Sequence, residues 1–216
     1  MSQLTWGGPG ERKFKTGVSH GVLYLPDDGV YDSGYAWNGL VTVTESPTGG
    51  EPNAQYADNI KYINMVSPEE FAGTIEAFFS PPEFDACDGT VSPEPGVYVG
   101  QQGRQTFGFS WRSLIGNDTA GIEHGYEIHL AWGLDAQPSE KSHATVNESP
   151  EASTLSWEFT STGVPVTGLR PTAKMTINST EVDAGDLAAL EALLYGTSET
   201  EPELPSPDEV IALFSS

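Results

Sequence analysis

Four histidines, one cysteine and 31 carboxylates are the side chains in this 216-residue sequence suited to metal, nucleophilic or acid–base chemistry. His20, His124, His129 and His143 are scattered. His124 and His129 stand five apart, awkward for one helical face, in or beside a stretch that alternates like a strand, with His129 on its polar side. A structural zinc site needs four nitrogen or sulfur ligands at close spacing, and this spacing does not offer them. Cys87 lies in Asp85-Ala86-Cys87-Asp88, where flanking carboxylates oppose a thiolate. No serine occupies a Gly-x-Ser-x-Gly elbow, and Gly100-Gln101-Gln102-Gly103 lacks the Gly-Lys-Ser/Thr end of a phosphate loop. With so many acids, a Glu/Asp pair of glycosidase type is neither marked out nor excluded, and solvated carboxylates are the ordinary case. No catalytic residue, cofactor or metal is assigned, and the expectation is that the chain is not an enzyme.

The balance of 31 acidic to 9 basic residues gives a formal charge of −22. Tight nucleic-acid binding needs basic residues to displace phosphate counterions, so that class is disfavoured, as is an anionic membrane surface. What stays open is a soluble acidic protein, a protein for high salt, or a surface that lets nucleic acid pass without sticking. One cysteine cannot close an intrachain disulfide. The N-terminal stretch has no signal-peptide-like apolar run and no segment approaches the ~20 apolar residues of a membrane span. The expectation is a soluble protein that folds in a cytoplasm.

Any such surface has to be positioned by strands. Gly (24) and Pro (16) punctuate the chain into short segments, which reads as all-β. Strands are predicted at Val22–Leu25, Gly39–Glu45 and Thr74–Phe79. Four further stretches alternate: Phe107, Phe109 and Trp111; Tyr126, Ile128, Leu130 and Trp132; Leu155, Trp157 and Phe159; Met175 and Ile177. Because these tryptophans share faces with other apolar residues, they read as core. A β-sandwich module that stacks exposed tryptophan on sugar is the alternative binding reading. One helix is predicted over 183–195, with Asp183 as N-cap, Leu187, Leu190 and Leu194 on one face, and Gly196 as the stop. Ser67-Pro68-Glu69-Glu70 and Ser206-Pro207-Asp208-Glu209 both read as capping boxes that open short helical turns. Ser46–Ala57 reads as a long loop without a clean period. The triplet Glu45-Ser46-Pro47 recurs as Glu148-Ser149-Pro150, a match that shared turn chemistry explains as well as duplication does.

Ala36-Trp37-Asn38-Gly39-Leu40, Glu45 to Pro52 and Tyr56-Ala57-Asp58-Asn59-Ile60-Lys61-Tyr62 resemble the major tail proteins of siphophages that infect actinobacteria. Gly21-Val22-Leu23-Tyr24 before them extends the resemblance. So do Gly100-Gln101-Gln102, Gly116-Asn117-Asp118-Thr119, Pro138-Ser139-Glu140-Lys141, Asn147 to Ala152 and Leu204 to Val210 after them, in order over about residues 17 to 214. The resemblance implies an all-β dominated, β-sandwich or barrel-like core with one flanking α-helix. It also implies a structural virion protein that closes into hexameric rings. The rings stack into a long non-contractile tail tube through which DNA passes during ejection without specific binding. The implied partners are the chain itself and the tail terminator, tail-tip and tape-measure proteins, with no membrane. The implied location is the virion, after synthesis in the host cytoplasm. Another β-rich tail component, a connector or tail-tip protein, shares that architecture.

The expected organisation is an N-terminal arm over 1–16, a β-rich domain over 17–196, and a C-terminal linker and docking segment over 197–216. Glu45, Pro47, Pro52, Tyr56, Asp58, Lys61 and Tyr62 are expected on an inter-subunit loop. Val210, Ile211, Leu213 and Phe214 form an apolar segment expected to dock on its own core or on a neighbour. By alternation Glu76, Glu127 and Glu158 lie opposite apolar sets and are the candidates for an acidic lumen wall.

Overall fold

Alternating apolar residues commit most of the chain to strands, and each strand then needs a partner for its backbone and a cover for its apolar face. The computed structural model describes residues 6–143, 145 and 152–215. In chain order the strands are β1 Lys13–Asp27, β2 Val30–Trp37, β3 Leu40–Glu45, β4 Thr48–Gly49, β5 Pro52–Ala57, β6 Ile60–Val66, β7 Glu69–Glu70, β8 Ala72–Ala77, β9 Val91–Glu94, β10 Val97–Val99, β11 Phe107–Asn117, β12 Gly121–Ala136, β13 Leu155–Ser161 and β14 Lys174–Asn178. Two helices follow, α1 Ala184–Tyr195 and α2 Pro207–Leu213. The protein is all-β dominated with flanking helices.

Eight strands form one antiparallel sheet in the order β2-β1-β11-β12-β13-β8-β3, with β14 paired to β12 beside β13. The sheet curls until its two ends meet. Asn38 and Gly39 join β2 to β3, and a Cβ on Gly21 of β1 would strike the Leu40 side chain of β3. The concave side encloses an aromatic core of Trp37, Phe84, Phe107, Phe109, Trp111, Trp157 and Phe159 with Leu23 and Ile75. A 3₁₀ turn over Pro82–Ala86 pushes Phe84 into it, 4.6 Å from Trp37 and 5.3 Å from Phe107 between ring centres. The convex side of β1, β12 and β14 holds a second core: Tyr24, Ile128, Leu130, Trp132 and Ile177 under Leu187, Leu190 and Leu194 of α1 and Val210 of α2.

Two glycines make this geometry accessible. Gly133, at φ +61°, sits where β12 carries an extra residue against β11, so a bulge reverses the strand's alternation. Trp132 therefore faces the helices while Leu134 and Ala136 face the interior. A Cβ on Gly73 would lie 2.2 Å from the Thr44 carbonyl oxygen and 2.7 Å from the Phe159 ring, so only glycine lets β3, β8 and β13 close up there.

The predicted strand faces and α1 match the structure. Asp183 accepts a hydrogen bond from the Gly185 amide at 2.7 Å, and Leu187, Leu190 and Leu194 are buried. Ser206 and Glu209 form the second capping box as expected. Three expectations need correction. Ser67-Pro68-Glu69-Glu70 does not open a helix, because Glu69–Glu70 pairs antiparallel with Thr48–Gly49. A capping box lowers the cost of a helix end only, and three residues before Gly73 leave no helix to cap. Ser46–Ala57 is not an irregular loop but contributes β4 and β5. The N-terminal arm ends earlier than residue 16, because Lys13–Thr16 already pairs with Leu114–Asn117 of β11. The repeat at Glu148-Ser149-Pro150 lies outside the described residues.

Candidate assembly surfaces

Residues 46 to 71 leave the sheet between β3 and β8 as an arm. Its stem is the β4–β7 pairing, and its outer part is the β5–β6 hairpin. Asp58 and Asn59 make the two-residue tip with φ of +52° and +61°, the left-handed pair that a type I′ hairpin turn requires and that Asp and Asn tolerate. Beyond this turn none of the described residues covers the apolar side chains of the hairpin. Tyr56, Ile60, Tyr62, Ile63, Met65 and Val66 are all exposed, Tyr56 at 73% and Tyr62 at 71%. The cross-strand pairs put Tyr56 and Val66 on one side and Ile60, Ile63 and Met65 on the other, with Tyr62 the extra residue of a bulge in β6. The arm is thus apolar on both sides. Full burial of one such side chain contributes about 1.5–3 kcal/mol, and a two-stranded ribbon is marginal alone in water. Of the residues expected on an inter-subunit loop, Pro52, Tyr56, Asp58, Lys61 and Tyr62 lie on the hairpin, while Pro47 lies beside the β4 stem. Glu45 ends β3 at its root and is ion-paired with Lys174 of β14.

A second hairpin, β9–β10, went unpredicted. It turns at Pro95 and Gly96 and exposes Val91, Val97, Tyr98 and Val99. The Pro95-Gly96 pair and the adjacent Val and Tyr residues of 97–99 were its sequence signals.

The C-terminal segment docks on its own chain. Val210 is buried, Leu213 and Phe214 pack on the convex core, and Ile211 faces outward. Leu204 bridges to Tyr31, the Trp132 indole donates to the Pro205 carbonyl at 3.0 Å, and Asp208 accepts from the Thr167 amide and hydroxyl.

The three lumen candidates do not share a face. Glu76 and Glu158 lie on the convex side of β8 and β13, where the pairs Ser156–Glu76 and Glu158–Thr74 make them diagonal neighbours. Strands β3, β8 and β13 present Thr42, Thr44, Thr74, Glu76, Ser156 and Glu158 on that side and contain no Lys or Arg. Helices α1 and α2 cover the other part of the convex sheet. Glu127 points to the concave side instead and is only 6% exposed. Alternation placed it opposite Ile128 correctly, but the opposite face here is the curled interior. Its carboxylate takes Lys15 Nζ at 2.8 Å and sits 3.8 Å from His129 Nε2.

His129 stacks on Trp111 with 4.9 Å between ring centres and bonds Ser113 and Thr176 through its two nitrogens. Burial, reinforced by the Lys174 charge, lowers its pKa to about 4, so the ring is neutral near pH 7. Burial also pushes the Cys87 thiol up to about 12, with Asp88 and Asp135 adding to the effect. Among the described residues no group of three or more His, Cys, Asp or Glu side chains converges on a metal position, and no helix is long and apolar enough to cross a membrane.

No protein-family model matches the chain, and no curated protein matches it.

Proposed function

We propose that this chain is the repeating subunit of a long non-contractile phage tail tube, six to a ring with rings stacked. The observation that carries the reading is the two-sided apolar arm over residues 46–71. A contiguous apolar surface on a protruding element marks an interaction site. Apolar residues on both sides suit insertion between two surfaces better than docking on one. A subunit in a stacked ring has such pairs of neighbours, beside it and above it. The polar face of β3, β8 and β13 fits the lumen role, because it presents acids and hydroxyls without a cation to hold a phosphate backbone. Tail terminator, tail-tip and tape-measure proteins are then its further partners, and the virion is its location. The carbohydrate-binding alternative has no tryptophan platform on the sheet, because the strand residues Trp37, Trp111, Trp132 and Trp157 are all buried and the exposed Trp6 stands on the N-terminal segment.

Negative-stain microscopy and sedimentation velocity of the purified full chain test the reading. Rings or tubes are expected, and Tyr62→Ser with Val66→Ser should reduce them while leaving the monomer folded. A protein that stays monomeric at millimolar concentration, or one whose tubes are indifferent to the arm substitutions, would sink it.

A further inference from the structure

Four of the five tryptophans lie in the two cores, and the fifth, Trp6, is 85% exposed. It precedes Gly7-Gly8-Pro9-Gly10 and Glu11, whose carboxylate accepts from the Gly8 amide at 3.0 Å, and then Arg12 and Lys13, two of the chain's nine basic residues. At the other end of β1 there is a groove of about 430 Å³ between the β1–β2 turn and the C-terminal segment. Val30, Tyr31, Trp132, Pro165, Pro205 and Pro207 line it. Glu203 and Glu209 line it too, Asp27 and Asp28 flank it in the turn, and no Lys or Arg is among its lining residues. It is apolar inside and acidic at the rim, whereas the N-terminal segment is aromatic at Trp6 and basic at Arg12 and Lys13.

The chain cannot fill this groove with its own Trp6. The segment leaves the sheet at Lys13 and is held there, with the Gly10 amide donating to Asp118 at 2.9 Å. The groove lies beyond Asp27, at the far end of a 15-residue strand, on the order of 40 Å away at ~3.3 Å per residue. Seven residues from Lys13 to Trp6 reach at most about 25 Å.

We infer that Trp6 of one copy inserts into the proline-lined groove of the next, with Arg12 and Lys13 against its acidic rim. The contact joins one end of β1 to the opposite end of β1 in another copy, so it is heterologous and polar and propagates rather than closing a two-fold dimer. Tryptophan in a desolvated pocket is the residue type that most often dominates an interface, and the opposite charges set its orientation. The inference rests on the reading that copies of this chain assemble, and it adds the contact that gives the assembly a direction.

A fluorescein-labelled peptide of residues 6–15, titrated against the full chain in fluorescence anisotropy, tests the contact without requiring a tube. Saturable binding that weakens with salt is expected. The peptide with Trp6→Ala, or the protein with Val30→Lys, should bind more than about tenfold more weakly. Val30 is 62% exposed, so that substitution leaves the core intact, and circular dichroism checks it. In the assembled protein, acrylamide should lose access to the one exposed tryptophan. Equal binding by the Trp6→Ala peptide, or tubes whose tryptophan emission is quenched as strongly as the monomer's, overturns the contact and leaves the tube reading standing. Peptide binding by a protein that never forms tubes supports the contact and removes the tube.

Discussion

The Tyr24 hydroxyl donates to the carbonyl of Leu194 at 2.8 Å and lies 3.1 Å from the Ser110 hydroxyl, tying the end of α1 to β1 and β11 inside the convex core. Leu194 is in the last turn of α1, where carbonyls lack intrahelical partners. Burial raises the Tyr24 pKa well above its ordinary value, so the hydroxyl stays protonated and remains a donor. Tyr24→Phe strands a buried carbonyl and the Ser110 hydroxyl, and should cost about 1–3 kcal/mol in urea unfolding. A value within error of zero would mean that α1 is held by its leucines alone.

His129 sets a pH dependence. Its folded pKa, about 4, lies below the ordinary value of 6.5. Between those values the unfolded chain binds the proton and the folded chain does not, so stability falls as pH drops from about 6.5 to about 4, by up to ~3 kcal/mol. His129→Gln should flatten that part of the stability profile relative to the wild type, measured as urea midpoints across pH 4 to 7. Parallel profiles would show that the ring titrates normally.

Much of this interior was legible. Phe107, Phe109 and Trp111 announce a one-sided strand by alternation alone, and Asp183 with three spaced leucines announces α1. Alternation could not say that Glu127 faces a curled interior rather than solvent, because curvature arises from pairing between β1, β11 and β12, which are distant in sequence. Nor could it find β5 and β6, because a hairpin wet on both faces has no reason to alternate. Ser67 to Glu70 misled for a related reason, since local capping chemistry lost to pairing with Thr48–Gly49. The Asp58-Asn59 turn was the sign of the arm, and a strand pattern on either side was needed to use it.

The C-terminal segment should matter to the monomer before it matters to any assembly. Val210→Ala opens a cavity beneath α2 and should cost roughly 1–3 kcal/mol. Deleting 205–216 removes Val210 and the Pro205 acceptor of Trp132 together, and should lower the thermal midpoint of the monomer. A truncated chain that unfolds like the wild type yet fails to assemble would assign the segment to a neighbour instead.

Charge on the convex face can be separated from charge in the interior. Glu76→Lys with Glu158→Lys should leave folding within about 0.5 kcal/mol, since both sites are on a solvated sheet face. In phage carrying these changes, tubes should form but DNA ejection should slow, most at low salt where screening is weak. Glu127→Lys should instead destabilise the monomer by opposing Lys15 inside the curled sheet. Unchanged ejection kinetics from the double variant would remove β8 and β13 from the channel wall.

Cys87 gives the curled sheet a built-in clock. It lies in the concave core, fully shielded, and is the chain's sole thiol. A thiol reagent can modify it only when the sheet opens far enough to admit solvent, so the labelling rate counts openings of that core and no other event. Because one sulfur per subunit reports, the same mass measurement applied to free subunits and to any assembly would give the lifetime of the closed state in each, without a probe being introduced.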